Sequence, residues 1–198
     1  MISNSKFVEI LPSIQEACIK AGALQKKYHK TDIDIATKSN KTPVTKIDID
    51  SNIIISDALK KLTPEIPIIS EEDYEGQDKH DSFWIVDPLD GTRNYIDKGN
   101  NFCICISLIK ESYPILGIIY SPMQDYFYYA YQGRGAFLAK GSQSPTRITT
   151  SKMSSERNNV YTSISINKSI LDQISIHIGN VLFVKLASAL KFGAIASG

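Results

Sequence analysis

An α+β architecture, with helices layered on a mainly antiparallel sheet and an incomplete second α/β unit after it, is what this sequence predicts. Three observations lead there. The first thirty residues carry apolar side chains at helical spacing. The middle carries five β-prone runs, four of them separated only by short turns. After a Ser-rich polar stretch, the pattern changes to strand, helix, strand.

Taken in order, Phe7, Ile10, Leu11, Ile14, Ala17, Cys18, Ala21 and Leu24 recur every three or four residues and predict an amphipathic helix over about 5–29. Pro12 inside it either kinks the helix or marks its true start. The stretch "KTDIDIATKSNKTPVTK" is polar and turn-rich. A second helix is expected over about 48–62, burying Ile49, Ile53, Leu59 and Leu62. "IPIIS" reads as a short strand ending at Ser70, and "FWIV" as another beginning at Phe83. "FCICISLIK", "YPILGIIYSP", "YFYYAYQG" and "GAFLAK" follow as consecutive antiparallel strands, with turns at Glu111–Ser112, Pro122–Gln124 and Gly133–Gly135. The domains are expected at 1–155 and 156–198, the second comprising "NVYTSISI", a helix around 168–178, "VLFVKLAS" and "ALKFGAIASG".

Lys and Arg total 22 against 21 Asp and Glu, which gives no electrostatic reason to bind a nucleic-acid polymer or an anionic membrane. Aromatics from Tyr126 to Tyr131 lack the basic stripe of a nucleic-acid platform. The start lacks the pattern of a signal peptide, and no run is long enough for a membrane span. Three Cys match no zinc spacing. Cys103 and Cys105 share one strand face, opposite Phe102, Ile104 and Ile106, and are read as core packing in a reducing, cytoplasmic setting.

Acidic residues gather at strand ends. Glu71 and Glu72 follow one strand, Asp87 and Asp90 another, and Asp48 stands at the entry to the second helix. Like charges held close need a cation or a proton. Carboxylates with no His or Cys beside them offer hard oxygens and suit Mg²⁺ rather than zinc or copper. Gly91 and Thr92 can open a short helix whose free N–H groups accept a phosphate. Metal ions facing helix amides form a phosphate clamp, the arrangement of two-metal phosphoryl chemistry.

"WIVDPLDGTRNYI", with "SEED" upstream and "TPVTKID" before it, resembles the motif set of the inositol monophosphatase superfamily of Mg²⁺-dependent, lithium-sensitive phosphatases. "LKKLTPEIPIISEED", "PILGIIYSP" and "SALKF" are most similar to its bacterial bisphosphate-nucleotidase branch. The resemblance implies Glu71, Asp87, Asp90 and the Leu89 carbonyl as ligands of two or three Mg²⁺ ions, with Asp90 bridging. It implies phosphate contacts through Gly91 and Thr92, with Glu71, Leu89 and Asp90 beside the substrate. Asp48 with Thr92 is implied to orient and deprotonate the attacking water, and Glu72 to support its neighbour. Ser188 falls in a substrate-contacting segment, or caps a helix.

The implied activity is hydrolysis of the 3′-phosphate of adenosine 3′,5′-bisphosphate to AMP. The branch usually has Lys-Glu-Phe where this chain has Arg93, Asn94 and Tyr95. That departure keeps a sugar-phosphate substrate open. The family's final metal-binding Asp, in a W-D-x-x-A segment, has no counterpart before Gly198, so an inactive fragment is the other alternative. A homodimer, a complementing C-terminal piece and peripheral contact with the inner membrane also stay open.

Overall fold

The computed structural model describes residues 4–32, 34–37, 43–73, 80–154 and 156–198. Parts of the expected turn-rich stretch (residues 33 and 38–42), the charged loop at 74–79 and residue 155 at the expected boundary lie outside them.

Helix α1 (Asn4–Tyr28) continues on both sides of Pro12, so that residue is not its start. Two short strands, β1 (Ile35–Thr37) and β2 (Pro43–Thr45), pair antiparallel where only turns were expected. Helix α2 (Lys46–Leu62) begins two residues earlier than expected. Thr45 caps it, accepting the Ile47 N–H, while the Asp48 side chain accepts the Thr45 N–H in return.

Ile47, Ile55 and Leu59 face inward with the polar Asp48, Ser51 and Asn52, and Leu62 packs at the margin. Ile49 and Ile53, expected in the core, are 47% and 53% exposed. An apolar stripe was the wrong guide there, because this helix turns a polar stripe toward the rest of the molecule.

The strands β3 (Ile68–Ser70), β4 (Ser82–Asp90), β5 (Cys103–Lys110), β6 (Tyr113–Ser121), β7 (Tyr126–Tyr131), β8 (Gly135–Lys140) and β9 (Thr146–Ile148) form one sheet in sequence order. Only the β3–β4 pair is parallel. Strand β9, within "SQSPTRITTS", was not foreseen. The β5–β6 hairpin turns where expected, on Glu111 (φ 48°) and Ser112 (φ 69°), both left-handed as a tight hairpin requires.

One face of this sheet meets α1 and α2. Ile10, Ile14 and Cys18 of α1 and Ile55 and Leu59 of α2 pack there on Trp84, Val86, Ile104, Ile106, Leu116, Ile118 and Tyr120. The Trp84 indole N–H donates to Thr63 Oγ1 (2.9 Å) within this core.

The last forty residues form a parallel pair, β10 (Asn158–Thr162) and β11 (Val181–Lys185), joined through α4 (Lys168–Ile178). Helix α5 (Leu190–Ala196) follows and lies against β6 and β10. A cavity of about 420 Å³ separates it from the sheet's second face.

Candidate metal and phosphate site

The site grows from an irregularity at the end of β4. In a regular strand, residues three apart point to opposite faces. Here Asp87 pairs with Cys105 and Asp90 with Cys103, three steps on one strand against two on the other. The extra residue is a bulge, and it returns Asp90 to the face that Asp87 occupies. Both acids therefore lie within β4 rather than beyond it. Pro88, which has no N–H to donate, fits a bulge. Its carbonyl accepts from the Gln25 side chain (2.8 Å), and Leu89 is buried against Ile47, Tyr95 and Phe102.

Glu71 arrives through the parallel β3. Ser70 pairs with Val86, and the Glu71 N–H donates to the Val86 carbonyl (2.9 Å). Burial raises the Asp87 carboxyl above the usual aspartate range, and the charges of Glu71 and Asp90 raise it further. This crowding of hard oxygens is what a divalent cation neutralises, so the donor set fits Mg²⁺. Glu72 turns on its neighbour, its N–H reaching Ser70 Oγ (3.3 Å).

After the bulge, Gly91 adopts φ 98°, and a Cβ there would stand 3.1 Å from both the Asn101 carbonyl and Ser188 Oγ. The expected short helix follows as α3 (Thr92–Ile96). Thr92 Oγ1 lies 2.9 Å from Asp48 Oδ1 and 3.0 Å from the Leu89 carbonyl, and its single proton can go to one of them at a time. Asp48 is 1% exposed. Its Oδ2 accepts the Thr45 N–H (2.8 Å) and hydroxyl (2.6 Å). Burial raises its pKa, while these hydrogen bonds pull the other way.

Ser188 reaches the same place from the far end of the chain. It is not a helix cap, since Ala189 holds that position and makes no side-chain cap bond. Ser188 is held at φ 54° with Oγ toward Gly91, and the Ala189 N–H donates to Asp90 Oδ2 (2.6 Å).

The structure thus brings Asp48, Leu89, Asp90, Gly91, Thr92 and Ser188 together, with Glu71 and Asp87 alongside. Sequence reasoning missed Gln25, which is fully buried and donates to Ser51 Oγ (3.1 Å) as well as to Pro88. Its signal was its place four residues after Ala21 on the buried stripe of α1. Tyr95 was missed too, and its hydroxyl donates to the Gln25 carbonyl (2.8 Å). The reading as core packing holds for Cys103, which is fully buried, and needs correction for Cys105, which is half-buried. Both thiols turn toward Asp90, because their face of β5 is the bulge's face rather than the helices'.

Known proteins resemble this arrangement. The inositol monophosphatase family model matches residues 8–198. The 3′(2′),5′-bisphosphate nucleotidase CysQ of Aggregatibacter actinomycetemcomitans is 35% identical over 132 residues, 65% of this chain and 49% of that one. CysQ of Escherichia coli K12 is 38% identical over 116 residues, 57% of this chain and 47% of that one. The chain spans about half the length of these curated relatives. Among solved structures, an IMPase from Thermotoga maritima superposes with a TM-score of 0.75 at 25% identity, over 92% of this chain and 70% of that one. CysQ from Bacteroides thetaiotaomicron gives 0.70 at 22% identity, over 94% and 75%, a likeness of fold.

Proposed function

We propose, from the fact that this chain belongs to the inositol monophosphatase family, that it is a Mg²⁺-dependent phosphomonoesterase removing the 3′-phosphate of adenosine 3′,5′-bisphosphate. The observation that carries this reading is the meeting of the Asp48–Thr92 hydrogen bond with the bulge's two acids. Glu71, Asp87, Asp90 and the Leu89 carbonyl would hold the metal. When bound, Mg²⁺ supplies positive charge that neutralises phosphate oxygens and lowers the pKa of a water.

The chain's own groups handle the proton. Thr92 Oγ1 accepts a proton from the attacking water as its own passes to Asp48, whose raised pKa suits it to receive one. The water oxygen bonds to phosphorus, the bond to the 3′-oxygen breaks, that oxygen takes a proton from bulk water, and Asp48 returns the proton it received to solvent. Gly91, lacking a Cβ, leaves backbone open to the phosphate, and Ser188 Oγ stands beside it. The expected split at residues 155 and 156 would then divide a catalytic unit from the βαβ unit that delivers Ser188. Among the described residues no helix is long and apolar enough to cross a membrane.

The nucleotide is preferred to an inositol phosphate because of the curated relatives' names. The Arg93-Asn94-Tyr95 departure weighs little against it. Asn94 Oδ1 accepts the Asn101 N–H (2.9 Å) and Tyr95 holds α1, so two of these residues serve packing. Phosphate release from adenosine 3′,5′-bisphosphate and from inositol 1-phosphate, with and without Mg²⁺, decides the matter. Turnover of the nucleotide alone is expected. Preference for the inositol ester would reassign the substrate, and no turnover of either would leave a binding fragment.

A further inference from the structure

We propose that Asp90, Cys103 and Cys105 form a binding site for a thiophilic divalent cation such as Zn²⁺, distinct in its donors from the all-oxygen magnesium set. The Sγ atoms of Cys103 and Cys105 are 3.9 Å apart, and Asp90 Oδ2 lies 3.5 Å from the first and 3.9 Å from the second. A tetrahedral zinc, with Zn–S of about 2.3 Å and Zn–O of about 2.0 Å, sets its sulfurs about 3.8 Å apart and sulfur from oxygen about 3.5 Å. The three atoms therefore already make a triangle close in size to one face of a zinc tetrahedron.

The backbone explains why. Cys103 and Cys105 are two residues apart on one strand, so they share a face, and the bulge sets Asp90 directly across from Cys103. Packing alone does not ask for this. Cys18 is the contrast, a thiol buried in the apolar core of α1. Asp90 Oδ2 also accepts the Ala189 N–H, and a carboxylate has lone pairs for both partners. Cys105, Asp87 and Ala189 share the wall of the 420 Å³ cavity, which gives an ion a way in and leaves its fourth position to water or a phosphate oxygen.

Binding exchanges two thiol protons for one Zn²⁺, the protons passing to buffer. Since Asp90 serves both sets, Zn²⁺ would compete with Mg²⁺; that consequence rests on the magnesium reading, whereas the site itself does not.

The test uses chelator-stripped protein under a non-thiol reductant. Co²⁺ should give a thiolate-to-metal charge-transfer absorption that one equivalent of Zn²⁺ removes. Competition against a chromophoric chelator should show the Cys103→Ser, Cys105→Ser double variant at least about a hundredfold weaker for Zn²⁺, since losing a group that only orients a ligand costs about 10–100-fold. Cys18→Ser should bind as wild type. Absence of the cobalt band in wild type overturns the proposal without any variant, and so does unchanged Zn²⁺ affinity in a folded double variant. Asp87→Asn separates the two readings. Cysteine-dependent Zn²⁺ binding with Mg²⁺ affinity untouched by Asp87→Asn would support this site and overturn the magnesium assignment alone.

Discussion

The bulged end of β4 and helix α4 draw on similar residues and are held in opposite ways. At the bulge, Leu89, Tyr95, Phe102 and Ile47 close a small core of their own. The contacts there join residues distant in sequence: Thr92 to Asp48, Pro88 to Gln25, Ala189 to Asp90. Helix α4 buries none of its residues, and Ile176 is 79% exposed. Its hydrogen bonds are local, from Ser169 N–H to Asn167, Ser175 to Leu171 and His177 to Gln173. The site is therefore a product of the whole fold, whereas α4 depends on its own cap and turns. Sub-global opening should begin at α4 and leave the site intact.

The comparison breaks first at Asp90. If the bulge exists to aim that carboxylate, Asp90→Asn should lower kcat/KM for adenosine 3′,5′-bisphosphate about a thousandfold, or about 4 kcal/mol of transition-state stabilisation. A variant within tenfold of wild type at saturating Mg²⁺ would remove Asp90 from the machinery. Next comes the core that supports the site. Ile55→Ala, at a fully buried position, should cost about 2–5 kcal/mol in urea unfolding. A cost under about 1 kcal/mol would mean that the helix layer does not brace the sheet.

Acidity sharpens the contrast without a mutation. Because the folded chain raises the Asp87 pKa, it binds more protons than the unfolded chain between the ordinary aspartate value and that raised one. Metal-free stability should thus fall as pH rises through this window, by at most about 1.4 kcal/mol per pH unit per proton. Mg²⁺ competes with those protons, so its stabilising effect should grow with pH. Melting curves at several pH values with chelator or Mg²⁺ check this, and a metal-free protein that gains stability with pH would contradict it. The smallest effect belongs to α4, where Ile176→Ser should change global stability by under about 0.5 kcal/mol. A large loss would show α4 to be integral, as would amide exchange as slow there as in α2.

Much of the scaffold was legible because local signals and tertiary structure agree. The hairpin at Glu111–Ser112, the strands β4 to β8 and the span of α1 follow from alternation, turns and helical spacing. The site was legible only as a set of residue types. Nothing in "DPLD" announces an extra residue in the ladder, since a bulge is defined by the partner strand. For the same reason Cys105 reads as core, because which face of β5 meets the helices is settled by β4. Asp48, Ser51 and Asn52 defeated the apolar-stripe rule on α2. Ser188 was singled out by resemblance, but the Ala189 amide on Asp90 closes a loop of 99 residues that no spacing rule reaches.

Trp84 is the chain's single tryptophan, fully buried and hydrogen-bonded to Thr63 on the helix side of the sheet. Its emission is therefore a one-channel optical report on the core. Held out of water, the indole should emit to the blue and shift red only when sheet and helices part. It stands three residues before Asp87 but on the opposite face, so an ion entering among the acids should leave the colour unchanged. One cuvette can then follow the core by the colour of that emission while metal binding is read by absorbance.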